Sequence, residues 1–97
     1  MKLVMLVVSD DDVEKVVDAL VDNEYHITRL ASTGGFLRRG NSLLLCGVDD
    51  DRVEPLLEIV RANAAEHVFP RMADWSTDVH VSRAVVFVCA LERFERL

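Results

Sequence analysis

The chain has 97 residues, of which 11 are basic and 17 acidic, for a formal net charge of −6, and 51% are apolar. That negative balance argues against general nucleic-acid binding, which depends on cationic side chains neutralising phosphates, and no apolar run approaches the roughly 18 residues of a membrane-spanning helix. The length suits a single domain over residues 1–97, one able to withdraw roughly two-thirds of the unfolded chain's surface from water.

Residues 3–8 form a continuous apolar run, which predicts a strand buried on both faces. The run is short and is followed by Asp10-Asp11-Asp12 with no small-residue cleavage site, so it reads as a strand rather than a leader. Residues 9–12 supply N-cap candidates and acids suited to a helix N-terminus. Val13, Val16, Val17, Leu20 and Val21 then recur at helical spacing, with Glu14, Asp18 and Asp22 pointing the other way and Asn23 as the C-terminal residue. Residues 25–32 are expected to form a second strand with Tyr25, Ile27 and Arg29 on one side. Residues 33–40 form a loop, and residues 41–48 a third strand built on Leu43-Leu44-Leu45-Cys46. Asp49-Asp50-Asp51 is expected to cap a second helix with Val53, Leu56, Leu57 and Val60 on its apolar face. Pro55 requires that helix to start close before it, and it should end near Asn63 or Ala64. Residues 67–77, with Pro70 and the sole Trp75, are the least regular. A short strand over 78–81, a buried strand over 84–89, and a short helical turn suggested by the spacing of Leu91 and Phe94 complete the chain.

A weak internal repeat underlies this order. Val8-Ser9-Asp10-Asp11-Asp12-Val13-Glu14 is echoed by Val48-Asp49-Asp50-Asp51-Arg52-Val53-Glu54, each copy following an apolar strand and opening a helix. The order βαββαβ with this pseudo-symmetry predicts an α+β, ferredoxin-like domain, an antiparallel sheet with two helices on one face. Three of its strands are apolar on consecutive residues, so both sheet faces require burial, yet two helices cover only one. The remaining face is expected to be covered by further copies of the chain, in an obligate homo-oligomer.

Chemistry concentrates in one window. Residues 25–48 hold all four glycines together with Arg29, Arg38 and Arg39, and contain no Asp or Glu. Thr33-Gly34-Gly35-Phe36 can form a turn whose N–H groups converge on an anion, because glycine reaches positive φ at no steric cost. Thr28, Ser32 and Thr33 add hydroxyls, and Arg38 and Arg39 add planar cationic donors suited to phosphate. Phe36 offers a face to a base, Leu37 a pocket wall, and Asn41 the paired donor and acceptor that an adenine edge requires. On composition alone, a hairpin loop solubilised by arginines fits about as well. The two aspartate triplets read as helix starts rather than calcium loops. His67, His80, Cys46 and Cys89 lack zinc spacing. The two cysteines lie in apolar runs and read as buried free thiols, which makes the cytoplasm the expected compartment. Trp75 is expected to cover the sheet or a subunit edge. No nucleophile or metal set stands out, so no enzyme is expected.

Leu30-Ala31-Ser32-Thr33-Gly34-Gly35-Phe36-Leu37-Arg38-Arg39-Gly40-Asn41, with Cys46-Gly47-Val48 and Asp50-Asp51-Arg52-Val53 after it, resembles the PII-like cyclic di-AMP receptor family. The similarity runs without gaps from Met1 to about Asn63 and resumes at Ala84-Val85-Val86-Phe87-Val88 and Phe94. What the resemblance implies is a ferredoxin-like homotrimer with three ligand sites at subunit boundaries. Such a protein signals to a protein partner by loop rearrangement rather than by catalysis. By the same resemblance Thr28, Gly35, Phe36, Leu37, Asn41, Gly47 and Phe87 match positions lining the nucleotide pocket; Arg29 and Arg38 are added for their charge, and His26 and Arg96 as secondary candidates. The chain departs from the family pattern at Glu24 (usually Asn), His26 (usually Arg) and Arg96 (usually Gln), and its segment between the second helix and the last strand is about ten residues shorter. A carboxylate near a phosphate repels it, and loss of an Arg removes a charge-assisted bond. Two alternatives therefore stand beside cyclic di-AMP reception: a trimeric scaffold that has lost the nucleotide, and a receptor for another nucleotide such as ATP or ADP.

Overall fold

The computed structural model describes residues 1–30, 40–68 and 81–97, and everything below concerns those residues. The elements run β1 (Lys2–Ser9), α1 (Val13–Asp22), β2 (Thr28–Leu30), β3 (Asn41–Val48), a 3-10 turn (Asp50–Arg52), α2 (Val53–Asn63), β4 (His67–Val68), β5 (Val81–Ser82) and β6 (Val85–Ala90). Four strands make an antiparallel sheet in the order β2-β3-β1-β6, and β4 pairs with β5 in a separate two-stranded ribbon. This is the α+β arrangement expected from the βαββαβ order, with the ribbon inserted between α2 and β6.

Sheet register divides the side chains into two sets. Val4 lies opposite Cys46 and Val88, and Leu6 opposite Leu44 and Val86. Side chains alternate across a strand, so this set shares one face. Val4, Leu6, Val8, Leu44, Cys46 and Val48 are all buried there with Val13, Val16 and Leu20 of α1 and Val53, Leu56 and Val60 of α2. Each fully buried Leu or Val contributes about 1.5–3 kcal/mol. The second set has Met5 opposite Leu45 and Phe87, and Val7 opposite Leu43 and Val85. Val7 belongs to a small separate cluster with Leu43 and Val85, to which neither helix contributes.

The helix termini differ from expectation. Asp12 stands at the N-cap of α1 but makes no side-chain capping bond. Its Oδ2 instead accepts from the Ala65 N–H at 3.2 Å, tying the start of α1 to the exit of α2. Asp49 does not cap α2 either: Asp50–Arg52 form a 3-10 turn ahead of it, and Pro55 falls in the first turn, where its missing N–H costs no bond. Their charge still favours the positive helix end.

At the other end of α1 the Glu24 N–H donates to the Val21 carbonyl at 2.9 Å and the Tyr25 N–H to the Leu20 carbonyl at 3.0 Å. This is a Schellman closure, with Tyr25 and Leu20 packed together in the core. It places Glu24 at φ 66°, the left-handed region where Gly or Asn is usual. Residues 91–97, where a helical turn was expected, contain no helix.

Candidate functional site

The β2–β3 hairpin pairs Thr28 with Leu45, Arg29 with Leu44 and Leu30 with Leu43. The glycine-rich segment therefore leaves from Leu30 and returns at Gly40, whose φ of 96° suits glycine. Its return is fastened to the end of β1. The Asp10 N–H donates to the Gly40 carbonyl at 2.7 Å, and the Ser42 hydroxyl donates to the Asp10 carboxylate at 2.6 Å. Asn41, next to this anchor, is buried and lies opposite Ser9.

A cavity of about 610 Å³ lies at the β2 edge of the sheet. Its walls come from β2 and the residues leading into it (Tyr25, His26, Ile27, Thr28), from β3 (Leu45, Cys46, Gly47), from the C-terminal tail (Leu91, Phe94, Glu95, Arg96), and from Leu3 of β1 and Val21 of α1. Such a volume falls within the range of small-ligand sites. Its walls are apolar, with a hydroxyl, an imidazole and a guanidinium added. Glu95 is already engaged by Arg93, whereas Arg96 has no carboxylate partner among the described residues. Glu24, although adjacent in sequence, is not among the cavity's described walls.

Behind the cavity a clasp fixes the Tyr25 wall. The guanidinium of Arg52 lies 4.0 Å from the centre of the Tyr25 ring, and the Tyr25 hydroxyl donates to the Arg52 carbonyl at 2.8 Å. The Arg52 side chain also donates to the Asn23 and Glu24 carbonyls, at 2.8 and 3.4 Å, complementing the negative end of α1. Burial pushes the Cys46 thiol up from its ordinary range, against smaller opposing effects of the Arg52 charge and a hydrogen bond from the His26 backbone. The site thus presents Cys46 as a neutral, apolar wall.

Of the residues expected from sequence to bind a ligand, the structure brings Thr28, Gly47, His26 and Arg96 around this one cavity. Arg29 lies on the helix-facing side, where its guanidinium bonds the Glu14 carboxylate of α1 at 2.6 Å. Asn41 lies at the opposite end of β3 from Gly47. Phe87 is half-buried on β6, in the same cross-sheet row as Thr28 but on the other edge strand. Gly35, Phe36, Leu37 and Arg38 lie outside the described residues. Leu91, Phe94 and Leu45 went unnoticed as site residues. The spacing of Leu91 and Phe94 did mark the tail, but as a helix rather than a wall.

The cavity lies beside β2 and β3, the two strands that flank the glycine- and arginine-rich segment in sequence. The sequence matches the family model of the cyclic-di-AMP receptor over residues 1–97. The chain belongs to the cyclic-di-AMP receptor family. Among solved structures it is similar to a functionally unknown protein from Pediococcus pentosaceus ATCC 25745, at 34% identity, over 99% of this chain and 96% of that one, with a TM-score of 0.73. A member of this family is a non-enzymatic, nucleotide-binding signalling protein whose ligand is cyclic di-AMP. Among the described residues no three His, Cys, Asp or Glu side chains converge on a metal position, and no helix is long and apolar enough to cross a membrane.

Proposed function

We propose that the chain works as a PII-like homotrimer that binds cyclic di-AMP at its subunit boundaries and relays the signal to a protein partner through the hairpin loop. The observation that carries this reading is the cavity in which Thr28, Gly47, His26 and Arg96 meet. Phe36 and Leu37 lie against one adenine, Asn41 reads a base edge, and Thr28, the Gly35 amide, Arg29 and Arg38 serve the phosphates. Arg29 reaches them by exchanging its exposed Glu14 partner for the ligand, a pair of small intrinsic worth.

Two observations favour a shared site. Thr28 and Phe87 lie on opposite edge strands, three strand spacings or roughly 14 Å apart, so a second copy is needed to bring a Phe87 near Thr28. Among the described residues, no helix packs on the Val7, Leu43 and Val85 cluster of the sheet face that also carries Met5, Leu45 and Phe87. The two cysteines are free thiols, which suits a reducing cytoplasm.

Calorimetric titration with cyclic di-AMP, cyclic di-GMP and ATP tests the ligand. Heat with cyclic di-AMP alone is expected; none at micromolar protein sinks the reading, and heat with ATP transfers the site to another nucleotide. Solution mass measurement is expected to give three chains, and a stable monomer contradicts the packing argument. The position of Glu24 outside the cavity walls weighs against a scaffold that has lost its nucleotide.

A further inference from the structure

Gly47 stands at a position expected to line the nucleotide pocket, yet its surroundings give it another task. A Cβ placed on it would lie 3.2 Å from Cδ2 and 3.7 Å from Cε2 of Phe94, and 3.5 Å from Cδ2 of Leu91. The bare Cα is therefore the floor of a socket in which the Phe94 ring is seated. Gly47 is not a left-handed glycine, so the missing side chain rather than the backbone is what the position uses.

Phe94 is half exposed, with one part on Gly47 and the rest open to solvent. The tail that carries it has no helix and no strand. Its entry is fixed by the Leu91 N–H, which donates to the Met1 carbonyl at 3.2 Å. Two residues beyond Phe94 comes Arg96, a cavity wall with no carboxylate partner among the described residues, while the intervening Glu95 is engaged by Arg93. An irregular segment does not hold a long cationic side chain at a pocket without an anchor, because ordering such a side chain costs about 1.5–2 kcal/mol.

On the reading that this cavity takes cyclic di-AMP, we infer that Phe94 is a positioning residue: seated on Gly47, it latches the C-terminal tail and holds the Arg96 guanidinium at the pocket for a phosphate of the ligand. Phe94 acts on affinity through Arg96, and Gly47 acts through Phe94. This accounts for a cation at position 96, where a guanidinium supplies a permanent charge beside the pocket.

The test is a double-mutant cycle on the full-length chain, read by calorimetric titration with cyclic di-AMP at two salt concentrations. Arg96→Ala is expected to weaken binding about tenfold, the size of one charge-assisted bond, and to flatten the salt dependence. Phe94→Ala is expected to match it in both respects, and the double variant to lose no more than either alone. Gly47→Val, whose branched side chain fills the ring's seat while the Phe94 and Arg96 side chains themselves are unaltered, is expected to reproduce the loss and serves where Phe94→Ala fails to fold. Additive losses, or a Phe94→Ala or Gly47→Val protein with the full salt dependence of the wild type, overturn the latch alone. Absence of binding by the wild-type chain overturns the latch together with the reading it rests on.

Discussion

The two faces of the sheet are built from alternate residues of the same strands, yet among the described residues only one is covered by helices. Leu6 and Met5 are neighbours in β1. Leu6 is wholly buried under both helices, whereas Met5 lies in the Leu45–Met5–Phe87 row that neither helix covers. The helical face is covered by α1 and α2. The other holds the Val7, Leu43 and Val85 cluster, to which neither of these helices contributes. On the proposed homo-oligomeric reading, one continuous apolar strand serves both folding and association, and dependence on protein concentration separates the two.

That contrast is most directly broken at these two positions. Leu6→Ala is expected to cost about 2–5 kcal/mol, with the same loss in denaturant titrations at high and low protein concentration. Met5→Ala is expected to cost less at low concentration and progressively more as concentration rises; a loss independent of concentration would remove the distinction between the faces.

The two thiols sharpen it chemically. Cys46 is buried on the helical face and Cys89 is exposed on the other. Native Cys89 is expected to alkylate readily in dilute protein and to be protected on concentration, while Cys46 reacts only as fast as the chain unfolds. Because the folded state holds the Cys46 proton more tightly than the unfolded state, its contribution to stability is complete at neutral pH. It declines as pH rises past the ordinary thiol range of about 8.5. Melting curves from pH 7 to 10 should show this decline, and Cys46→Val should flatten it.

Smaller effects belong to the periphery of the covered face. Glu24→Gly relieves a left-handed residue in the Schellman closure and is expected to raise stability by about 1 kcal/mol; a destabilised variant would mean that the Glu24 side chain makes a compensating contribution. Arg29→Ala removes an exposed ion pair and is expected to cost less than about 1 kcal/mol of stability. Its effect on cyclic di-AMP affinity, measured in the same protein, decides whether Arg29 serves the ligand or only α1.

Much of the fold was legible because long apolar runs and helical spacing are strong local signals. β1, β3, β6 and most of the apolar faces of α1 and α2 follow from them. Burial does not always follow: Val21 at the end of α1 is exposed and borders the cavity, and β6, an edge strand, is half-buried with Val88 and Cys89 exposed rather than buried. What escaped depends on partners distant in sequence. Asp12 looked like a helix cap, but Ala65, 53 residues away, takes its side chain. Arg29 looked like part of an acid-free cationic window, but the crossover through α1 lays Glu14 beside it. Leu91 and Phe94 sit three apart as helical neighbours do, yet the Gly47 socket fixes their spacing. Of the candidate site, Thr28 and Gly47 border the cavity, while Gly35, Phe36, Leu37 and Arg38 lie outside the described residues and Asn41 stands at the far end of β3 from Gly47. The tail wall depends on how the chain end folds back over β3, which local spacing does not reveal.

The fastening at Asp10 also bears on the sheet itself. The Asp10 N–H holds the Gly40 carbonyl and the Asp10 carboxylate holds the Ser42 hydroxyl, so one residue after β1 grips the chain on both sides of Asn41. The entry of β3 and the exit of β1 are thereby tied into one corner, and neither strand can slide in register without breaking both bonds.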